Sequence, residues 1–102
     1  MKFFKNLFKK LTKGFQTEAT SVFLKQIYNP LIRHNVQFSE SPRDAAILVV
    51  QDALELAGNG KVIGRIKDVR LELGMYIVIY ELFGEEGSIS YAPNQFRGGY
   101  AY

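Results

Sequence analysis

The chain has 102 residues, a net charge of +3 at pH 7, 47% hydrophobic and 14% aromatic residues, and no cysteine. This length suits one small domain with a single core, and the apolar content excludes an intrinsically disordered chain. The lack of cysteine excludes disulfides, thiolate nucleophiles and Cys-based metal sites, and it fits an intracellular protein best.

The positive charge is concentrated near the N-terminus. Residues 1–17 contain five lysines and no acidic residue, which gives +5, whereas the remaining residues contain eight Lys or Arg and ten Asp or Glu, which gives −2. A polyanionic partner, whether lipid headgroups, nucleic acid or an acidic protein surface, would therefore meet the N-terminal segment first.

Residues 1–16 are predicted to form a basic amphipathic arm. Its apolar residues recur at spacings of three and four, so on a helix they share one face while the lysines occupy the rest. A helix over 2–15 is about 21 Å long, too short to cross a bilayer, and lysines interrupt every apolar run, so we expect neither a transmembrane helix nor a signal peptide. The candidate membrane- or partner-binding residues are Lys2, Phe3, Phe4, Lys5, Leu7, Phe8, Lys9, Lys10, Leu11, Lys13 and Phe15.

A second helix is predicted from Thr17 to about Tyr28, and Gly14 is expected to loosen its junction with the arm. Asn29-Pro30 ends this helix, because the residue before a proline disfavours helical geometry. Residues 36–38 predict a brief edge strand.

A further helix is predicted over residues 41–57. Ser41 is a typical N-cap, Pro42 suits the first helical position, and Asp44 complements the helix dipole. The helix is apolar almost all round and ends at Gly58, so we expect it to be buried on more than one side. A buried strand at 47–50 is the alternative interpretation, because β-branched residues favour strands.

The rest of the domain is predicted to be a sheet. After a turn at 58–60, a strand spans 61–67, and Lys67-Asp68 turns the chain into an alternating run from Val69 to Phe83. Gly74 marks either a bulge within this run or a tight reversal. The odd positions of the run are predicted to face the core; they are Val69, Leu71, Leu73, Met75, Ile77 and Ile79.

A hairpin is predicted near the end of the sheet. Residues 84–87 read as its four-residue loop, with a returning strand at 88–91 that Ala92-Pro93 stops. The sequence therefore predicts an α+β fold in which two or three helices precede a three- or four-stranded antiparallel meander sheet, with helix 41–57 packed on one face. Residues 17–93 form this single domain. Residues 94–102 are expected to be a flexible aromatic tail whose contact residues are Phe96, Arg97, Tyr100 and Tyr102.

The sequence favours no enzymatic chemistry. His34 is the only histidine and lies in no catalytic motif, and the glycines at 58–64 fit neither a Walker loop nor a dinucleotide fingerprint. The carboxylate pairs at 52/55 and 85/86 read as solvated charges. We therefore expect no metal ion and no cofactor.

The leading hypothesis is a non-enzymatic interaction module. In it, the arm docks on an anionic membrane surface or in a partner groove, and the sheet domain associates with itself to form a homo-oligomer, so the protein is intracellular and peripheral to a membrane. The alternative is a subunit of a larger assembly, such as a virus particle, in which both terminal segments contact neighbours. A third hypothesis is a small nucleic-acid-binding protein that uses its lysines and tail.

Overall fold

The computed structural model describes residues 2–29 and 41–96, with side chains described from Gly14 onward. These residues form two α-helices followed by an antiparallel sheet, so the predicted α+β class is confirmed, with two helices and three strands in the described ranges. The predicted strand at 36–38 and His34 lie outside those ranges. The elements are α1 (Lys2–Tyr28), α2 (Pro42–Gly58), β1 (Gly64–Glu72), β2 (Met75–Leu82), β3 (Glu85–Tyr91) and a 3-10 turn (Pro93–Gln95).

Helix α1 is continuous through Gly14, so the predicted loosening there is wrong. The arm and the second predicted helix are one helix of 27 residues, about 40 Å long. A glycine inside a helix costs about 1 kcal/mol relative to alanine. That cost is too small to break a helix whose next turn packs against the core through Phe15 and Ala19.

The helix predicted over 41–57 is confirmed as α2, and the strand alternative at 47–50 is excluded. The Ser41 side chain accepts a hydrogen bond from the Asp44 backbone N–H at 3.2 Å. At the other end, Asn59 adopts the left-handed conformation and its N–H bonds the Glu55 carbonyl. These two caps satisfy the helix ends and outweigh the β-branched residues between them.

Two-residue turns connect the three strands. Leu73-Gly74 joins β1 to β2 and Phe83-Gly84 joins β2 to β3, with positive φ at all four residues. This is the type I′ pattern, whose twist matches that of the flanking strands. Gly74 therefore marks a tight reversal. The predicted four-residue loop is wrong, because residues 85–87 already belong to β3.

The predicted turn at Lys67-Asp68 is also wrong. The sheet register shifts between Ile66 and Asp68, which makes this site a bulge within β1 and not a reversal between two strands. A bulge adds one residue to a strand without reversing it, so one strand spans Gly64–Glu72 and the sheet has three strands in the described residues.

The short turn also changes which residues face the core. Glu72 pairs with Met75, so after the bulge the odd positions Val69 and Leu71 of β1 share a face with even positions of β2. The prediction that the odd positions of 69–79 all face the core is therefore wrong. Val69 packs toward the core together with Tyr76, Val78, Tyr80 and Leu82, whereas Met75, Ile77 and Ile79 lie on the opposite, open face.

Both helices and the sheet contribute to one core. Its largest fully buried side chains are Phe23 and Ile27 from α1, Val49 and Val50 from α2, and Val78, Tyr91 and Phe96 from the sheet and the segment after it. Gly64 permits β1 to lie close to the backbone of β2 and to Leu54 of α2. A Cβ added to it would overlap the Glu81 carbonyl and lie 3.2 Å from Leu54 Cδ2.

Two glycine substitutions are expected to have opposite effects on stability. Gly64→Ala forces the β1 and β2 backbones apart and should lower the free energy of unfolding by about 2 kcal/mol. Gly14→Ala meets nothing within 4 Å and should raise it by about 1 kcal/mol through helix propensity. Urea unfolding followed by circular dichroism measures both. A neutral Gly64→Ala would contradict the close approach of these strands.

Candidate membrane- or partner-binding surface

Helix α1 lies lengthwise beside β3 and is fixed at both ends of that strand. At one end, the Tyr91 hydroxyl donates a buried hydrogen bond to the Ile27 carbonyl at 2.8 Å. At the other end, Phe15 contacts Phe83 in the β2–β3 turn. Between them, Phe23 packs edge-on against Tyr80 with ring centroids 4.9 Å apart.

The length of α1 exceeds the length of the sheet beside it. The helix advances about 18 Å between Phe15 and Ile27 at ~1.5 Å per residue. The seven residues of β3 span roughly 20 Å, so this part of α1 is already about as long as the strand. Residues 2–13 continue the helix for about 18 Å more. They run past the Phe83-Gly84 turn.

Phe15 anchors the helix at the point where it passes this turn. Its half-buried ring meets Phe83 edge-on at a centroid distance of 6.1 Å. The Lys61 ammonium lies 4.9 Å from the centre of the Phe15 ring, within the range of a cation–π contact. Of the predicted surface residues, Phe15 is thus placed against the protein's own body.

The other predicted residues of this surface lie in helical backbone whose side chains are outside the described set. These residues are Lys2, Phe3, Phe4, Lys5, Leu7, Phe8, Lys9, Lys10, Leu11 and Lys13.

Most cations of the described body lie next to acids. Arg65 and Lys67 lie 3.8 and 4.0 Å from Glu81, and Lys67 also donates to Glu86 at 3.0 Å. Arg70 binds Asp68 at 3.0 Å, and this bond, together with the Val69 N–H, lowers the pKa of the Asp68 carboxyl. The open sheet face is therefore nearly neutral, so the excess of positive charge remains with residues 1–17.

A groove of about 550 Å³ separates α1 from β3. Thr17, Thr20 and Leu24 form its helix side, and Tyr80 forms part of its floor. The Tyr80 ring occupies the space above Gly87, where a Cβ would lie 2.6 Å from the hydroxyl oxygen. Burial raises the pKa of Tyr80, so its phenol stays neutral at pH 7. Sequence reasoning missed this groove, because its residues come from distant parts of the chain.

The predicted flexible tail needs a correction at its first residues. Phe96 is fully buried, and its ring centroid lies 5.4 Å from that of Tyr91. The turn Pro93–Gln95 and a bond from the Ala92 N–H to the Gln95 side chain bring it there. Phe96 is a core residue, whereas Arg97, Tyr100 and Tyr102 lie outside the described ranges.

Within residues 2–29 and 41–96, no helix combines the length and apolar content that spanning a bilayer requires. The same residues contain no cluster of three or more potential metal ligands of the His, Cys, Asp and Glu types. Comparisons with protein-family models, curated proteins and solved structures find no match to this chain.

The two hairpin turns offer a matched test of the Phe15 anchor. Leu73 and Phe83 occupy the same left-handed turn position, but Leu73 is fully exposed and Phe83 packs against Phe15. Leu73→Asn should stabilise the protein by about 1 kcal/mol, because Asn tolerates this conformation. Phe83→Asn has the same gain but loses a half-buried ring, so a net loss of about 1 kcal/mol is expected. Thermal unfolding distinguishes them; equal stabilisation by both would refute the anchor.

Proposed function

We propose that residues 2–13 of α1 dock this protein on an anionic membrane surface. The observation that carries this proposal is the +5 charge of residues 1–17, set on a helix that is anchored to the body by Phe15 and continues past the sheet. Because the rest of the chain has a charge of −2, the helix and the body respond oppositely to a negative surface.

The sequence of this helix supplies both terms that binding at such an interface requires. Each lysine near an anionic surface contributes about 1 kcal/mol, and the stripe of Phe4, Phe8 and Leu11 gains transfer energy at the acyl boundary. Helical spacing separates the two groups on the helix circumference. The gain is offset by the entropy of immobilisation, so binding is reversible and sensitive to salt.

The anchor gives this helix a fixed direction. The Phe15–Phe83 and Lys61 contacts hold the helix at the turn, so residues 2–13 do not have to be ordered separately when they meet the surface. Preorganisation of this kind lowers the entropic cost of binding. The nearly neutral open face of the sheet lies on the side away from the helices.

Co-sedimentation with vesicles of mixed anionic and neutral lipids tests the proposal. Lys5→Gln should weaken binding roughly fivefold, the equivalent of about 1 kcal/mol. Lys25→Gln removes the same charge from the same helix but within the body, so it should change binding less than twofold. Replacing Phe4 and Phe8 together by Ala should weaken binding at high salt, where the electrostatic term is screened.

Three results would contradict the proposal. Equal weakening by Lys5→Gln and Lys25→Gln would show that net charge acts without the arm. Full binding to purely neutral vesicles would show that attraction between the lysines and anionic headgroups is not needed for binding. If the unmodified chain does not bind anionic vesicles, membrane docking is wrong, and the arm binds in a groove of a protein partner instead.

A further inference from the structure

The two outer strands of the sheet, β1 and β3, differ in whether their outward-pointing backbone groups are open to pairing with another strand. In a two-residue turn, the residues on either side form a hydrogen-bonded pair, and pairs of that type alternate with pairs whose backbone groups point outward. On β3, Leu82 pairs with Glu85 beside the turn. The backbone N–H and C=O groups of Glu86, Ser88 and Ser90 therefore point away from β2.

The outer edge of β1 is blocked. The same alternation turns the Val69 N–H outward, and the Asp68 carboxylate accepts a hydrogen bond from it at 2.8 Å. The bulge at Lys67 distorts the strand beside this site, and Arg70 holds the carboxylate in place at 3.0 Å. Bulges and charged side chains are the usual devices that stop edge strands from pairing.

The outer edge of β3 has no bulge and no positively charged side chain, and its two carboxylates, Glu85 and Glu86, lie at one end. It is seven residues long, contains no proline, lysine or arginine, and keeps an unbroken register with β2. Within residues 2–29 and 41–96, its only strand neighbour is β2, and no other backbone bond reaches Glu86, Ser88 or Ser90. An edge of this kind is a template for one more strand.

We propose that β3 pairs antiparallel with β3 of a second copy of this chain, about a two-fold axis at Ser88. In this register, Ser88 lies opposite Ser88 of the partner subunit and Glu86 lies opposite Ser90 of the partner subunit. Carboxylates then face hydroxyl groups. A parallel arrangement would instead place Glu85 and Glu86 beside their own copies, and like charges directly opposite are destabilising.

The helix beside this edge supports the same partner. Leu24 and Tyr28 on α1 are 38% and 58% exposed, and Leu24 lines the groove next to β3. A two-fold axis at Ser88 brings the partner's α1 along the same side of the joined sheet, where it covers these apolar side chains. Two-fold pairing through one self-complementary patch is also the commonest symmetry of homo-oligomers. This interface is independent of membrane docking.

Single cysteines test both the interface and its register, because the chain has no cysteine of its own. In the proposed pairing, the two Ser88 Cα atoms are about 5.5 Å apart, a distance that a disulfide spans. The two Ser90 Cα atoms are roughly 14 Å apart, beyond that reach. Under mild oxidation, Ser88→Cys should become mainly a covalent dimer and Ser90→Cys should remain uncrosslinked.

Two proline substitutions, one on each outer strand, test the same edge without a crosslink. Ser88→Pro removes an outward N–H and leaves the β2–β3 ladder intact, so it should convert the dimer to a folded monomer. Light scattering measures this change in mass. Leu71→Pro removes the equivalent outward N–H on β1 and should leave the dimer unchanged. The proposal is overturned by a monomeric unmodified chain, by equal crosslinking of both cysteine variants, or by a dimer that survives Ser88→Pro while folded. A monomer would mean that another segment of the same chain covers the edge.

Discussion

The length of the two strand connections determines the rest of this structure. Leu73-Gly74 and Phe83-Gly84 each reverse the chain in two residues, and a reversal of that length fixes the register of both hairpins. The register in turn places Val78, Tyr80 and Leu82 under the helices. It also places Gly87 opposite Tyr80, which leaves room for the ring that Phe23 packs against.

The same helix serves the core and the proposed membrane contact. Its C-terminal half is fixed by Phe23, Ile27 and the Tyr91 hydroxyl, and its N-terminal half carries five of its six lysines. Phe15 lies at the boundary between the two. Because a helix transmits direction along its axis, packing at Ile27 orients residues more than 20 Å away.

Features that depend on neighbouring residues were predictable from the sequence. The cap at Ser41, the turn at 58–60 and the amphipathic spacing of residues 2–15 are local, and the first two are confirmed. The two faces of the sheet were not predictable in the same way. An alternating run over 69–79 reads identically whether it is one strand or two, so only the position of the reversal decides which apolar residues are covered.

Sequence reasoning failed in the same way at Lys67 and Phe96. A lysine beside an aspartate is typical of a turn, but its charge is satisfied by Glu86, 19 residues away, which makes a bulge acceptable. Phe96 lies three residues after Pro93 and two before Gly98-Gly99, so its sequence is typical of a tail, yet Tyr91 provides a buried surface for its ring. In both cases the partner is distant in the sequence.

The parity of the β1–β2 connection limits how this chain can vary. One residue inserted between Glu72 and Met75 would shift β1 by one position against β2 and rotate Asp68 and Arg70 into the helix layer in place of Val69. Sequence identity at Leu73 is thus far freer than loop length. Among natural variants of this fold, the tip of this hairpin should accept exchanges at Leu73 that tolerate its left-handed conformation, keep glycine at position 74, and show no single-residue insertion or deletion.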